Sequence, residues 1–179
     1  MGERITLKDK VFEPYIPENR IIEATTRIAA EIVRDMEGRK PLFVGILNGA
    51  YMFVAELMSK LPPACELTFA AYSSYAGTKS EGIIKELLPI RLKDKERPVI
   101  LLEDIVDTGL TMQYVMNSLR EKGVGDVRLA TMFIKPGSLK CDIRPDYVGM
   151  EIDDAFIVGF GLDYDGYGRS LRSVYRIVE

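Results

Sequence analysis

Apolar positions recur along this chain in two rhythms. Ile21, Thr25, Ile28, Ala29, Ile32 and Met36 keep the three-and-four spacing of one helix face, after Pro17 and before a stop near Gly38. Leu42 to Leu47, LFVGIL, is instead an unbroken apolar run of strand length, and Tyr51, Val54, Ala55 and Met58 predict a second helix ended by Pro62-Pro63. Glu66 to Tyr72 and, with looser alternation, Ile83 to Leu92 predict further strands. Between them Ser73 to Gly82 is polar and glycine-bearing, the composition of a mobile loop. Val99 to Leu102 is another buried-strand run, and Met112, Val115, Met116 and Leu119 form the next helical stripe, stopped at Gly123 and Gly125. Val127 to Ile134 and Ala155 to Phe160 predict the last strands. Strands alternating with helices, without a repeat or a linker, predict a single α/β domain over residues 1–179 with a mainly parallel central sheet flanked by helices.

The chemistry concentrates in residues 98–112, PVILLEDIVDTGLTM. A strand here runs into Glu103, Asp104 and Asp107, and the turn Asp107-Thr108-Gly109 opens a helix. In open α/β sheets ligands bind at the carboxyl ends of strands, and a helix N-terminus offers free N–H groups and partial positive charge to an anion. Thr108 and Thr111 add hydroxyl donors and Gly109 lets backbone approach closely, so a phosphate fits. Three carboxylates beside a phosphate are reconciled if they hold sugar hydroxyls, or if a divalent cation of the Mg²⁺ type lies between acid and phosphate. Both point to a phosphosugar. Leu47-Asn48-Gly49-Ala50 is a second strand-to-helix turn suited to an anion. The plainer reading is a strand end with solvated acids and Asp107 as a helix N-cap. An aspartic-protease reading of Asp-Thr-Gly needs a second such tripeptide, and the chain has one only, followed by a helix.

Composition narrows the classes. At 179 residues, 47% hydrophobic and 28% charged, the chain has the make-up of an ordinary globular domain. A net charge of −3 argues against a nucleic-acid partner, since backbone binding rests on a basic surface. The charged N-terminus is no secretory signal, and the most apolar stretch, Pro41 to Leu57, is too interrupted to span a bilayer, so no membrane partner is expected. Cys65 and Cys141 have neither metal nor redox spacing, which fits a reducing, cytoplasmic setting. The chain has no histidine, so acid–base work falls to carboxylates, lysines, tyrosines or the ligand.

The full run of fifteen residues resembles closely the phosphoribosyl pyrophosphate (PRPP) signature of the type I phosphoribosyltransferases, within them the hypoxanthine-guanine branch, and further motifs follow the family order from about residue 42 to 169. The resemblance implies the type I phosphoribosyltransferase fold, with a small hood formed by N- and C-terminal segments. It implies purine salvage: Mg²⁺-dependent transfer of the 5-phosphoribosyl group from PRPP to N9 of hypoxanthine or guanine, giving IMP or GMP and pyrophosphate. Its site residues carry over by position. Asp107, Thr108, Gly109, Leu110 and Thr111 would hold the 5′-phosphate, and Glu103 and Asp104 would face the ribose hydroxyls and Mg²⁺. Asp107 would be the general base toward purine N7. Leu47, Asn48 and Gly49 would bind pyrophosphate through backbone N–H groups, at a turn that in the family is often strained and can be cis, with Arg169 beside them. Lys135 would donate to O6 of a 6-oxopurine, Phe156 would stack on the ring, and Ile157 would offer backbone groups to its edge. Asp163 would lie near the purine 2-position and a second Mg²⁺. Ser74 and Tyr75 match the lid over the reacting centre. Relatives are commonly dimers or tetramers, so a homo-oligomer is expected.

For three of these residues a bland role competes: Asp107 as an N-cap, Lys135 as a solvated loop residue, Phe156 as ordinary core. The chain also departs from its relatives. Many carry lysine where this chain has Asn48, and some carry lysine at Leu110, so backbone donors must serve there. A regulator on the same fold, of the RNA-binding attenuator type, is the alternative; such proteins typically lack the acid at Asp107 and would be expected to show a basic face. Asp107, Lys135 and Phe156 together, with net acidity, favour the enzyme.

Overall fold

A computed structural model describes residues 3–74 and 84–178. In chain order the elements are β1 (Ile5–Leu7), β2 (Lys10–Ile16), α1 (Glu18–Asp35), β3 (Leu42–Leu47), α2 (Tyr51–Met58), β4 (Glu66–Ser74), β5 (Ile84–Leu88), β6 (Val99–Val106), α3 (Leu110–Glu121), β7 (Val127–Ile134), β8 (Tyr147–Glu151), β9 (Ile157–Val158) and β10 (Val174–Ile177). They form two sheets, ordered β5-β4-β3-β6-β7-β8 and β1-β2-β10-β9. In the larger sheet β4, β3, β6, β7 and β8 are parallel and only β5 runs against its neighbour. The smaller, antiparallel sheet joins the first and last segments of the chain, the expected hood.

Alternation along the central strands sends side chains to two cores. On β6, Ile100 and Leu102 pack with Ile21, Ile28 and Ile32 of α1 and Phe53 and Leu57 of α2. Val99 and Leu101 pack with Met112, Val115, Met116 and Leu119 of α3. Each such side chain, fully withdrawn from water, stabilises the fold by about 1.5–3 kcal/mol. The stripes predicted for α1 and α3 are the buried ones, and α1 ends where Gly38 turns with φ +73°. The N-terminus of α1 is held from afar, because the Glu18 N–H donates to the Ser173 hydroxyl at 3.2 Å.

Four expectations need correction. The buried face of α2 is Phe53, Val54 and Leu57, whereas Tyr51 and Ala55 are exposed; a short and nearly all-apolar helix carries too little periodicity to choose a face. The strand predicted over Ala155 to Phe160 shrinks to Ile157–Val158, since Gly159, Phe160 and Gly161 have φ of +100°, +49° and +98°, which no strand admits. β1, β2, β8 and β10 went unpredicted. Pro14 argues against a strand at β2, yet it is accommodated where the pairing of β2 with β10 shifts register between Val174 and Tyr175. The loop expected over Ser73 to Gly82 loses Ser73 and Ser74 to β4, and its remainder lies outside the described residues.

Candidate active site

Two turns meet at the carboxyl ends of β3 and β6. Ile46 and Leu47 from one, and Glu103 to Gly109 with Thr111 and Met112 from the other, line a cavity of about 260 Å³ that Tyr72 of β4 completes. A larger cavity, about 380 Å³, lies at the opposite ends of the strands; its lining is mainly apolar, with Ile32, Met36, Phe43 and Leu61, and although Arg39 and Lys40 border it, it holds no acid pair and no hydroxyl-bearing turn. The cavity at the carboxyl ends, where Glu103, Asp104, Asp107, Thr108 and Thr111 converge, is the candidate site.

Strict alternation slips across the acid pair. Beyond it Ile105 packs on the α1 and α2 side and Val106 on the α3 side, so Glu103 and Asp104 both border the same space. The Asp104 carboxylate is buried, accepts a hydrogen bond from the Ile105 N–H at 2.8 Å, and lies where a side chain on Gly49 would stand. Burial first, and the Asp104 charge second, push the Glu103 carboxyl well above the usual carboxylate range. A cation or a set of hydroxyls between the two acids would relieve that repulsion. Among the described residues no three His, Cys, Asp or Glu side chains converge to hold a metal unaided. Two carboxylates nonetheless suit Mg²⁺, which usually completes its shell with water and phosphate oxygens.

Gly109 opens α3 with φ +80°, and among the described residues no side chain caps the helix. Asp107 is therefore no N-cap; it stands exposed at the mouth of the cavity. Thr108 is anchored through its carbonyl, which accepts from the Lys140 N–H at 2.9 Å, and the Gly109 backbone lies against Cys141 and Ile143. Burial holds the Cys141 and Cys65 thiols above their ordinary pKa, as inert sulfurs would be.

At the β3 turn the Leu47–Asn48 peptide is cis, Asn48 is exposed, and the carbonyl of Gly49 abuts Gly161. This contact brings in the 159–169 loop. The Arg169 guanidinium donates to the Gly161 carbonyl at 2.6 Å and pairs with Asp163 at 2.7 Å, while the Tyr51 hydroxyl donates to the Arg169 carbonyl. Asp163 also accepts from the Gly166 N–H at 2.6 Å. Arg169 and Asp163 thus join one hydrogen-bonded loop beside the β3 turn.

Lys135 is not a solvated loop residue. It is 6% exposed at the end of β7, with its ammonium 3.4 Å from Asp107 and 3.5 Å from Asp154. Nothing in the Asp153-Asp154 pair distinguished Asp154 in the sequence, and its pairing arises only when β7 and the 152–156 turn come together. Phe156 is not core; it is 46% exposed. Ile157 follows in β9, an edge strand. Because the Ile177 N–H donates to the Phe156 carbonyl, the antiparallel alternation points the Ile157 N–H and C=O away from β10, toward the free edge. Of the lid pair, Ser74 ends β4 and Tyr75 lies outside the described residues. Tyr72, which the sequence did not flag, borders the cavity and donates to Glu86 at 3.0 Å; burial and that carboxylate raise its phenol pKa.

The comparisons with known proteins agree with this arrangement. A model of the phosphoribosyl transferase domain matches residues 16–165. The chain is 39% identical over 169 residues to a hypoxanthine-guanine phosphoribosyltransferase of Streptococcus mutans, covering 94% of each chain. It is 38% identical over 168 residues to the protein of the same name from Lactococcus lactis, covering 93% of this chain and 91% of that one. Among solved structures, a hypoxanthine-guanine phosphoribosyltransferase of Bacillus anthracis matches with a TM-score of 0.87 at 30% identity, over 93% of this chain and 98% of the other. With its parallel sheet, antiparallel hood and paired turns, the chain belongs to the phosphoribosyltransferase family, in the hypoxanthine-guanine branch.

Proposed function

We propose that this protein, as one domain over residues 1–179, transfers the 5-phosphoribosyl group of PRPP to N9 of hypoxanthine or guanine, releasing pyrophosphate and giving IMP or GMP in purine salvage. The observation that carries the reading is the single cavity lined jointly by the acid pair, the hydroxyl-bearing turn of β6 and the end of β3. It suits a ligand with a phosphate at each end and a ribose between.

In this reading the 5′-phosphate sits at Asp107, Thr108, Gly109, Leu110 and Thr111, on the helix N-terminus. Pyrophosphate sits at Leu47, Asn48 and Gly49 with Arg169, and the ribose hydroxyls face Glu103 and Asp104. When bound, Mg²⁺ supplies charge neutralisation to the departing pyrophosphate, with Glu103 and Asp104 to hold it and Asp163 for a second ion. The N9–C1′ bond forms as the C1′–pyrophosphate bond breaks. Asp107 takes the N7 proton, and the nearby carboxylates favour the oxocarbenium character of C1′. Lys135 donates to O6, Phe156 stacks on the ring, the Ile157 backbone and Asp163 meet its edge, and Ser74 and Tyr75 close over the centre. A lysine ammonium has three donors, so the buried Lys135 can reach O6 while keeping its two carboxylates. Adenine lacks that acceptor, and an unmet buried charged donor costs about 1–3 kcal/mol or more. The working form is a homo-oligomer, dimer or tetramer, in the cytoplasm.

The test is release of pyrophosphate on mixing protein, Mg²⁺, PRPP and hypoxanthine. Turnover with 6-oxopurines and none with adenine is expected. No turnover with any purine, together with tight RNA binding, would establish the regulator instead.

A further inference from the structure

Phe156 does not stand alone. Its ring lies 5.9 Å from that of Tyr164 at 88°, a T-shaped pair, and 6.4 Å from Phe12, which is itself 6.1 Å from Tyr164. Phe12 is fully buried, whereas Phe156 is half open. Edge-to-face geometry fixes one aromatic plane against another. Tyr164 is in turn fixed by the tip of the β1–β2 hairpin, since its hydroxyl donates to Asp9 at 2.8 Å. Leu7 pairs with Lys10, so Lys8 and Asp9 form a two-residue hairpin turn, with Lys8 at φ +53°. Lys8 pairs with Asp165 and lies over the Tyr167 ring at 5.2 Å. The two residues of the turn therefore grip three residues of the 164–167 loop. The hydrogen bond from the Tyr164 hydroxyl to Asp9 is the chief cause of the lowered Asp9 carboxyl pKa and of the raised Tyr164 phenol pKa.

We propose that Asp9 and Tyr164 are positioning residues for purine binding: the hairpin tip holds Tyr164, and the Tyr164 ring sets the plane in which Phe156 meets the base. The proposal rests on the purine-binding reading of Phe156. An exposed phenylalanine can turn about two side-chain torsions, and each free rotamer weakens stacking on an incoming ring. Bracing by Phe12 and Tyr164 restricts that freedom before the purine arrives. Lys8 with Asp165 and Tyr167 keeps the bracing loop seated at the hairpin.

The experiment is steady-state kinetics with hypoxanthine and with PRPP as varied substrates, on Asp9→Ala, Asp9→Asn, Tyr164→Phe, Tyr164→Leu and Phe156→Ala, with thermal unfolding recorded for each. Asp9→Ala and Tyr164→Phe each remove one hydrogen bond and should raise the hypoxanthine KM about fivefold, with kcat and the PRPP KM within about twofold. A double variant carrying Asp9→Ala and Tyr164→Phe should be no worse than either single one. Asp9→Asn retains an acceptor for the phenol and should restore near-normal KM. Tyr164→Leu, which also loses the ring, should approach Phe156→Ala. An unchanged hypoxanthine KM in Asp9→Ala and Tyr164→Phe, while Phe156→Ala raises it, overturns the latch and leaves the purine site standing. Losses shared equally by both substrates and by the unfolding temperature overturn it too, as mere destabilisation. If Phe156→Ala changes nothing, the latch and the purine role of Phe156 fall together.

Discussion

At the end of β3 the chain turns through Leu47, Asn48 and Gly49 into α2; at the end of β6 it turns through Asp107, Thr108 and Gly109 into α3. Both strands end at the same cavity, but the turns that follow them are built by different means. The β6 turn brings its own chemistry, a carboxylate and two hydroxyl groups on consecutive turns of chain, and Gly109 is needed there for a left-handed backbone. The β3 turn brings almost none. Asn48 points to solvent, and Gly49, whose φ is ordinary, is needed for space: its missing side chain leaves room for the Asp104 carboxylate, and its carbonyl meets Gly161. One turn offers side chains, the other backbone held by its neighbours.

Substitutions separate the two most sharply at Asp107 and Gly49. Asp107→Asn should lower kcat by about two orders of magnitude or more, the range for losing a general base. PRPP binding and the unfolding temperature should hardly move, because Asp107 is exposed and Lys135 keeps Asp154. Steady-state kinetics beside a melting curve checks both. Gly49→Ala puts a methyl group on the Asp104 carboxylate, which must swing away. Turnover should fall by about 100-fold, as expected for displacing a positioned group, and stability by about 1–3 kcal/mol from overpacking. If Gly49→Ala retained normal activity, the β3 turn would not depend on that packing.

Gly109→Ala probes the other turn with the same change and a smaller consequence for chemistry. Its cost is chiefly conformational, about 1–2 kcal/mol for an L-residue in the left-handed region, together with a methyl group 2.5 Å from Ile143 and 3.0 Å from Cys141. Those neighbours are a buried isoleucine and a partly buried cysteine, not one of the acids lining the cavity. Chemical denaturation should show the loss, with kcat reduced less than in Gly49→Ala.

The same contrast explains what could be read from the chain alone. The β6–α3 unit is local: an apolar run, acids, a turn and a helical stripe lie within residues 98–119, and every one stands where its pattern says. The surroundings of the β3 turn come from distant segments, Asp104 and Gly161, and no spacing rule links them. The hood is harder still. Its strands are short, β2 carries Pro14, and the bond from Tyr164 to Asp9 joins residues 155 apart. For Lys135 a solvated loop role competed with a purine donor's, and spacing could not show that it is buried, since its two carboxylate partners arrive from the turn after β6 and from the residues before β9. Local chemistry is written in consecutive residues, whereas packing partners are fixed only by the sheet order.

Asn48 offers the finest test of the comparison, because it asks whether side-chain charge can be added to a turn that works without it. The residue is exposed, so a lysine there meets no steric obstacle. It would stand beside the backbone donors proposed for pyrophosphate, next to the loop that carries Arg169. An ammonium in that place attracts an anion through solvent, where exposed charge pairs contribute about 0.2–1 kcal/mol. Asn48→Lys should therefore lower the PRPP KM by about two- to fivefold at low ionic strength, with the hypoxanthine KM unchanged. Screening shortens the reach of such a charge to about 8 Å at physiological salt, so the gain should fade as salt is raised. A gain that persisted undiminished at high salt would mean that the new side chain makes a direct, desolvated contact, and that the β3 turn is not a backbone-only site. No change at any ionic strength would put the pyrophosphate elsewhere, and would leave the β6 turn as the one anion site of the pair.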